Sequence, residues 1–242
     1  MSLIPQEPAQ RHFPLQCSYN IRDIGGYATL DGCHTRWRQV LRADSLHRLT
    51  PESQQALIDY GVQTIVDLRR VFEVNNAPNV FSKSKVVTYL NLPLFGNEVV
   101  SALMQAKTLL EQYCLLLDSC QKQIKVIFET ITTSSFPMVV HCSAGKDRTG
   151  LIIAFLLSIA NVPAETIAQD YALSESYLAP LFEKDLEVAR RNGYAHIFEC
   201  EHETMVDTLN YLQEKYGGAI AYLHKIGITD HQINRLRTII VD

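Results

Sequence analysis

The stretch Pro137-Met138-Val139-Val140-His141-Cys142-Ser143-Ala144-Gly145-Lys146-Asp147-Arg148-Thr149-Gly150-Leu151-Ile152-Ile153-Ala154-Phe155-Leu156-Leu157 decides the fold. It reads as an apolar strand, a tight polar turn and an apolar helix. A loop that ends at a helix N-terminus aims backbone N–H groups, and the positive end of the helix dipole, at one point. An oxyanion with several oxygens suits that point. A cysteine placed there is expected to be a thiolate.

Five residues separate Cys142 from Arg148. The spacing alone is common; the flanking strand and helix give it meaning. Gly145 permits close backbone approach to a ligand. Successive amides through Ser143, Ala144, Gly145, Lys146, Asp147 and Arg148 are expected to curl into an anion nest. Arg148 would grip two phosphoryl oxygens in a fork that lysine cannot reproduce. Cys142 would attack phosphorus and form a phosphocysteine that water then hydrolyses. The amides and the guanidinium would stabilise the equatorial oxygens, so the loop itself supplies the positive charge and calls for no metal and no cofactor.

The leaving oxygen needs a proton. Asp147, inside the loop, is the first candidate acid; Asp67, in Val66-Asp67-Leu68-Arg69, is the second. Either must be protonated at working pH, through burial or a neighbouring negative charge that the bound phosphate could supply. His141 and Thr149 read as supporting parts. The histidine would hold the loop backbone, and the hydroxyl would help stabilise the departing thiolate.

Around this unit the chain alternates strands and helices. Strands are expected over residues 39–42, 62–68, 86–92 and 137–141, and a turn-rich segment over 20–26. Thr50-Pro51 opens a helix as N-cap and first helical position, and Gly61 closes it. The alternation implies an α/β fold with a mostly parallel central sheet covered on both faces. Ligands in such sheets bind beyond the carboxyl ends of the strands, where Cys142 and Asp67 both fall. Residues 99–131 are helical by pattern. Leu103, Ala106, Leu110, Cys114 and Leu117 form one stripe, and Ile124, Ile127, Phe128 and Ile131 another. After Ala160 the chain reads as helical to its end, with Thr229 and Gln232 as a capping box.

Composition excludes several classes. With 242 residues, 47% hydrophobic and 20% charged, the chain suits one globular domain, residues 1–242, with residues 1–18 as an irregular arm. A net charge of −4 argues against nucleic-acid binding. No apolar signal core opens the chain, and the apolar run 151–160 is too short to span a membrane. Six cysteines without scaffold spacing fit a reducing, cytoplasmic setting, with secretion lacking a cleaved signal left open. The cluster His196, Glu199, Cys200, Glu201, His202 and Glu203 matches no metal-ligand spacing and reads as a loop followed by an acidic first helical turn.

His141 to Gly150 resembles the signature loop of the cysteine-dependent tyrosine and dual-specificity phosphatases. Gly145-Lys146-Asp147-Arg148-Thr149-Gly150 is similar to the loop of the bacterial and fungal tyrosine phosphatases, some of which act on phosphoinositides. Asn20-Ile21-Arg22-Asp23-Ile24-Gly25-Gly26, Leu41-Arg42-Ala43-Asp44-Ser45-Leu46, Asp170-Tyr171-Ala172-Leu173-Ser174 and a C-terminal stretch from Tyr222 to Thr229 resemble further motifs of that branch. The resemblance spans about residues 20–240. It implies a phosphotyrosine phosphatase-like fold of dual-specificity type, with Cys142 as nucleophile, Arg148 as phosphate ligand and Asp147 as candidate acid. It implies a phosphorylated protein or phosphoinositide as substrate. Lys146 matches a lysine of lipid-phosphatase loops, whereas Ser143 and Ala144 depart from them. The resemblance also makes the helical insertion 96–135 a lid over the site; a plain packing layer is the alternative.

Overall fold

The computed structural model describes residues 11–192, 195–198 and 200–242. Among the described residues five strands form one sheet: β1 Arg22–Asp23, β2 Val40–Ala43, β3 Thr64–Asp67, β4 Thr88–Asn91 and β5 Met138–His141. Their order is β1-β2-β5-β3-β4. β1 runs antiparallel to β2, and the other neighbours are parallel. The mostly parallel sheet is therefore the one the sequence predicts.

Side chains two residues apart share a sheet face. Val40, Val66, Met138 and Val140 pack on one side against the large helical core, and Leu41, Ala43, Ile65 and Val139 face the other side with Leu57 and Phe81. Burial on both faces explains why β5 has no polar alternation. The helix α1, Pro51–Tyr60, has the expected ends: Thr50 accepts from the Ser53 amide, and Gly61 adopts φ 98°. α2 follows at Val71–Asn76.

The region 99–131 departs from its expected phasing. It forms three helices, α3 Val100–Gln105, α4 Leu109–Ser119 and α5 Gln121–Thr133. Thr108 caps α4 by accepting from the Glu111 amide, and this new start resets the helical phase. Leu109, Tyr113, Leu116 and Leu117 are buried in α4, rather than the stripe through Leu110 and Cys114. The second stripe is buried as expected, through Ile124, Ile127, Phe128 and Ile131. Residues 109–133 thus pack into the core, whereas α3 buries none of its residues.

The helix α6, Asp147–Ile159, starts directly from the loop after β5 and is buried along almost its whole length. Each large apolar side chain so buried contributes roughly 1.5–3 kcal/mol relative to exposure. The chain then runs through α7 Ala164–Asn192, α8 His202–Tyr216, α9 Ala219–Lys225 and α10 Asp230–Ile240, the last opened by the Thr229–Gln232 capping box. Among the described residues no helix is long and apolar enough to cross a membrane. All six cysteines are free thiols. The segment 20–26 differs from its turn-rich expectation: Arg22 and Asp23 pair with Arg42 and Leu41 as a strand. Two charged residues carry no period-two signal, so nothing in the sequence announces β1.

Candidate active site

The parallel register sets His141 opposite both Ala43 and Asp67, so three strands end level and the loop leaves from the middle of the sheet. Each carbonyl of the turn is held from outside. The Cys142 carbonyl accepts from His141 Nδ1 at 3.0 Å. The Ser143 carbonyl accepts from the Ser45 amide at 2.9 Å. The Ala144 carbonyl accepts from Asn20 Nδ2 at 2.9 Å, and the Gly145 carbonyl from Arg42 Nη2 at 2.7 Å. A peptide N–H points opposite to its C=O. Four carbonyls drawn outward therefore turn the amides of Ser143, Ala144, Gly145 and Lys146 to the concave side, at the N-terminus of α6.

Gly145 has φ 69°, and a Cβ there would lie 2.3 Å from the Ala43 carbonyl oxygen. No other residue type fits. Gly150 likewise lets α6 approach the Tyr171 ring, which a Cβ would meet at 3.0 Å.

The groups that hold the loop are themselves fixed. Asp44 accepts from Ser18 Oγ and from the Tyr19 and Asn20 amides, which places Asn20. Asp170 is buried between Arg22 and Arg42, at 3.1 and 2.6 Å. Burial raises the Asp170 carboxyl, but the two guanidinium charges lower it further and keep it well below the usual carboxylate range. Motifs scattered across 150 residues of sequence thus converge behind one turn.

Cys142 is buried at the base of the nest, 2% exposed, while Ser143 stands at its open rim. Arg148 lies at the other end. Its Nη1 and Nη2 donate to Glu73 Oε2 and Oε1 at 2.7 and 2.9 Å, and Nη2 also reaches Ser143 Oγ at 3.1 Å. Ser143 Oγ donates to Glu73 Oε1 at 2.5 Å. Burial works against the Glu73 carboxylate, but hydrogen bonds and charge from Arg148 outweigh it and bring its pKa down to about 2. Burial also opposes the Arg148 charge, and Cys142, Glu73 and Asp147 together hold it above its ordinary value. Glu73 is the site residue that sequence reasoning missed. It sits on a short helix six residues after Asp67, with no motif spacing to flag it; its Oε2 also caps α2 through the Arg70 amide at 3.0 Å.

The two candidate acids differ. Asp67 is fully buried and clamped by Arg69, with Nη2 to Oδ2 at 2.6 Å and Nε to Oδ1 at 2.9 Å, and Tyr89 Oη donates to Oδ2 at 2.9 Å. Burial pushes this carboxyl up, but His141 and Arg69 pull it down and win. Asp147 is about one-third exposed. Its Oδ1 accepts from Tyr113 Oη at 2.6 Å and lies 3.2 Å from Lys146 Nζ.

His141 is fully buried, and burial lowers its basicity. Its Nδ1 donates to the Cys142 carbonyl, and its Nε2 lies 2.9 Å from Asn79 Nδ2 and 3.4 Å from Asp67 Oδ2. Thr149 is fully buried, and its Oγ1 has no hydrogen-bond partner among the described residues. Lys146 is 1% exposed, and its ammonium donates to the Ile197 carbonyl at 2.8 Å. Only its amide faces the nest; its side chain runs into the protein.

The Phe95 ring lies 5.5 Å from the Arg148 guanidinium. It helps to line a groove of about 490 Å³ with Leu103, Met104 and Ile197. In the acidic stretch near Cys200, Glu199 and the His196 side chain lie outside the described residues. Among the described residues no group of three or more His, Cys, Asp or Glu side chains is arranged to hold a metal ion.

The chain matches the model of a family described as "Tyrosine phosphatase family" over residues 13–242. It is 30% identical to a "Tyrosine-protein phosphatase" of Nostoc commune over 215 residues, covering 81% of this chain and 72% of the relative. It is 23% identical over 128 residues to the "Triple specificity protein phosphatase PtpB" of Mycobacterium tuberculosis, covering 46% of each chain. Among solved structures, P. aeruginosa TpbA superposes with a TM-score of 0.40 at 14% identity, covering 88% of this chain and 95% of that one.

Proposed function

Because the chain belongs to the tyrosine phosphatase family, we propose that it hydrolyses phosphotyrosine in proteins, with Cys142 as nucleophile, Arg148 as phosphoryl ligand and Asp147 as general acid. The outward tethering of four successive loop carbonyls is the observation that carries this reading. A phosphoryl group seated in the nest would meet the amides of residues 143–146 and the Nε edge of Arg148 at its equatorial oxygens, the Nη1–Nη2 end of the guanidinium being held by Glu73. The Cys142 sulfur forms the S–P bond as the P–O ester bond breaks. The departing oxygen takes the Asp147 proton. Water then attacks phosphorus and gives a proton back to Asp147, and the S–P bond breaks to release phosphate and the thiolate. The buried, unpaired hydroxyl of Thr149 supports a role in receiving that sulfur.

The partial exposure of Asp147 supports it as the acid, and the enclosure of Asp67 by Arg69 supports a structural role for that residue. Phe95 and the groove beside it support an aryl ester, whose ring would lie along apolar surface at the mouth of the nest. The burial of the Lys146 ammonium counts against its gripping a second phosphate of a phosphoinositide head group. A lid role narrows to residues 97–105, since 109–133 belong to the core.

The test is turnover of phosphotyrosine peptides, phosphoserine peptides and phosphoinositides by wild type and Cys142→Ser, with rapid-quench trapping of a phosphocysteine. Phosphotyrosine turnover that vanishes in Cys142→Ser while phosphate still binds supports the reading. Preferred hydrolysis of phosphoinositides, or turnover surviving Cys142→Ser, overturns it.

A further inference from the structure

Two buried phenols stand behind Asp147. Tyr113, from α4, donates to Asp147 Oδ1 at 2.6 Å, and its Oη lies 2.7 Å from the Oη of Tyr171, from α7. The Tyr113 proton is committed to the carboxylate, so the bond between the phenols has one direction: Tyr171 donates to Tyr113. Both rings are fully buried, and burial together with the charge of Asp147 keeps both hydroxyls protonated far above their ordinary range. They therefore act as donors and not as acids or bases themselves.

The consequence falls on the carboxyl group. Oδ1 already accepts from Tyr113 and neighbours the Lys146 ammonium. A proton on Oδ1 would cost one of these contacts. The proton therefore resides on Oδ2. From this geometry, and resting on the reading of Asp147 as general acid, we infer that Tyr113 is a positioning residue that fixes the acid in a single protonated form and is itself aligned by Tyr171. The charged and titratable groups facing Asp147 among the described residues are Lys146 and Arg148 beside it in the chain, Tyr113 from α4, Tyr171 from α7, and Cys200 from the segment before α8.

Removing a donor to the ionised carboxylate destabilises that form. The limb of the kcat/KM profile that reports loss of the acid's proton then moves to higher pH. The experiment compares Tyr113→Phe, Tyr171→Phe, Asp147→Asn and the double variant Tyr113→Phe/Asp147→Asn. Substrates are phenyl phosphate, whose leaving group needs a proton, and p-nitrophenyl phosphate, whose leaving group does not. Tyr113→Phe is expected to lower the plateau of kcat/KM for phenyl phosphate about tenfold, with kcat/KM for p-nitrophenyl phosphate nearly unchanged, because kcat/KM reports only the steps through phosphocysteine formation. Its basic limb is expected to rise by about 0.5–1 pH unit. Tyr171→Phe is expected to shift the limb the same way by less, and the double variant to be no slower than Asp147→Asn alone. An unmoved limb in Tyr113→Phe, or equal losses on both substrates, overturns the inference. If Asp147→Asn itself shows no dependence on leaving group, the acid assignment fails first and the inference falls with it. Should Tyr113→Phe not fold, the Tyr171→Phe limb decides alone.

Discussion

The Glu73 carboxylate grips the Arg148 guanidinium through two parallel hydrogen bonds, at 2.7 and 2.9 Å. These occupy the end of the fork formed by Nη1 and Nη2. An arginine of this length that is 13% exposed would otherwise sample many rotamers. Glu73 thus holds the guanidinium in one orientation beside the Ser143 hydroxyl.

The pair makes a stability prediction. The folded-state pKa of Glu73 lies near 2, below the ordinary glutamate value, so the contribution is fully present above the ordinary value. It is lost as pH falls toward 2. Glu73→Gln is expected to be less stable at pH 7, on the order of 2–3 kcal/mol by linkage, and to show a flatter decline between pH 5 and pH 2.5. Urea unfolding at several pH values checks this. Parallel stability curves for the two proteins would exclude the assigned charge interaction.

Gly145→Ala places a methyl group 2.3 Å from the Ala43 carbonyl oxygen in a backbone that already has positive φ. The loop must open to accommodate it. Turnover is expected to drop by at least a hundredfold with a stability loss of about 1–3 kcal/mol. Activity within tenfold of wild type would mean that the turn tolerates another shape.

Asn20→Leu removes the donor to the Ala144 carbonyl while keeping a side chain of similar size. The carbonyl is then free to rotate inward, and its partner amide outward. The expected result is a drop of about tenfold in kcat/KM and weaker phosphate inhibition, with a stability loss of about 1–3 kcal/mol because the buried Arg22 guanidinium also loses its Asn20 Oδ1 acceptor. Steady-state kinetics with inorganic phosphate as inhibitor measures both.

Asp67→Asn breaks a buried ion pair and leaves the Arg69 charge uncompensated. A destabilisation of about 3–5 kcal/mol is expected. Where the variant remains folded, its losses on phenyl phosphate and p-nitrophenyl phosphate should match. A selective loss on phenyl phosphate would transfer the acid role from Asp147 to Asp67.

The central strand, loop and helix were legible because burial on both sheet faces writes an unbroken apolar run, and because a turn that must curl around an anion requires glycine at one position. Thr50, Pro51 and Gly61 were legible for a related reason: helix ends have local chemistry. What escaped was non-local. β1 is two charged residues long, and its identity as a strand comes only from its partner. Leu110 and Cys114 lie on one continuous helical stripe in the sequence, yet the cap at Thr108 starts a new helix that buries Leu109 and Tyr113 instead. Lys146 looked like a ligand by its place in the loop, but its long side chain followed the protein interior. Glu73 carries no signal at all until α2 brings it to Arg148.

The tethers of the loop carbonyls come from Asn20, Arg42, Ser45 and His141, and Arg42 is steered in turn by Asp170. The motif from Cys142 to Arg148 is therefore inert as an isolated peptide, because its own sequence holds none of the outer anchors except the carbonyls they bind. On the proposed reading, catalytic competence is expected to require the docking of Asn20, Arg42 and Ser45 and the presence of Asp170 on α7. Ester turnover and helical circular dichroism should accordingly vanish at the same urea concentration.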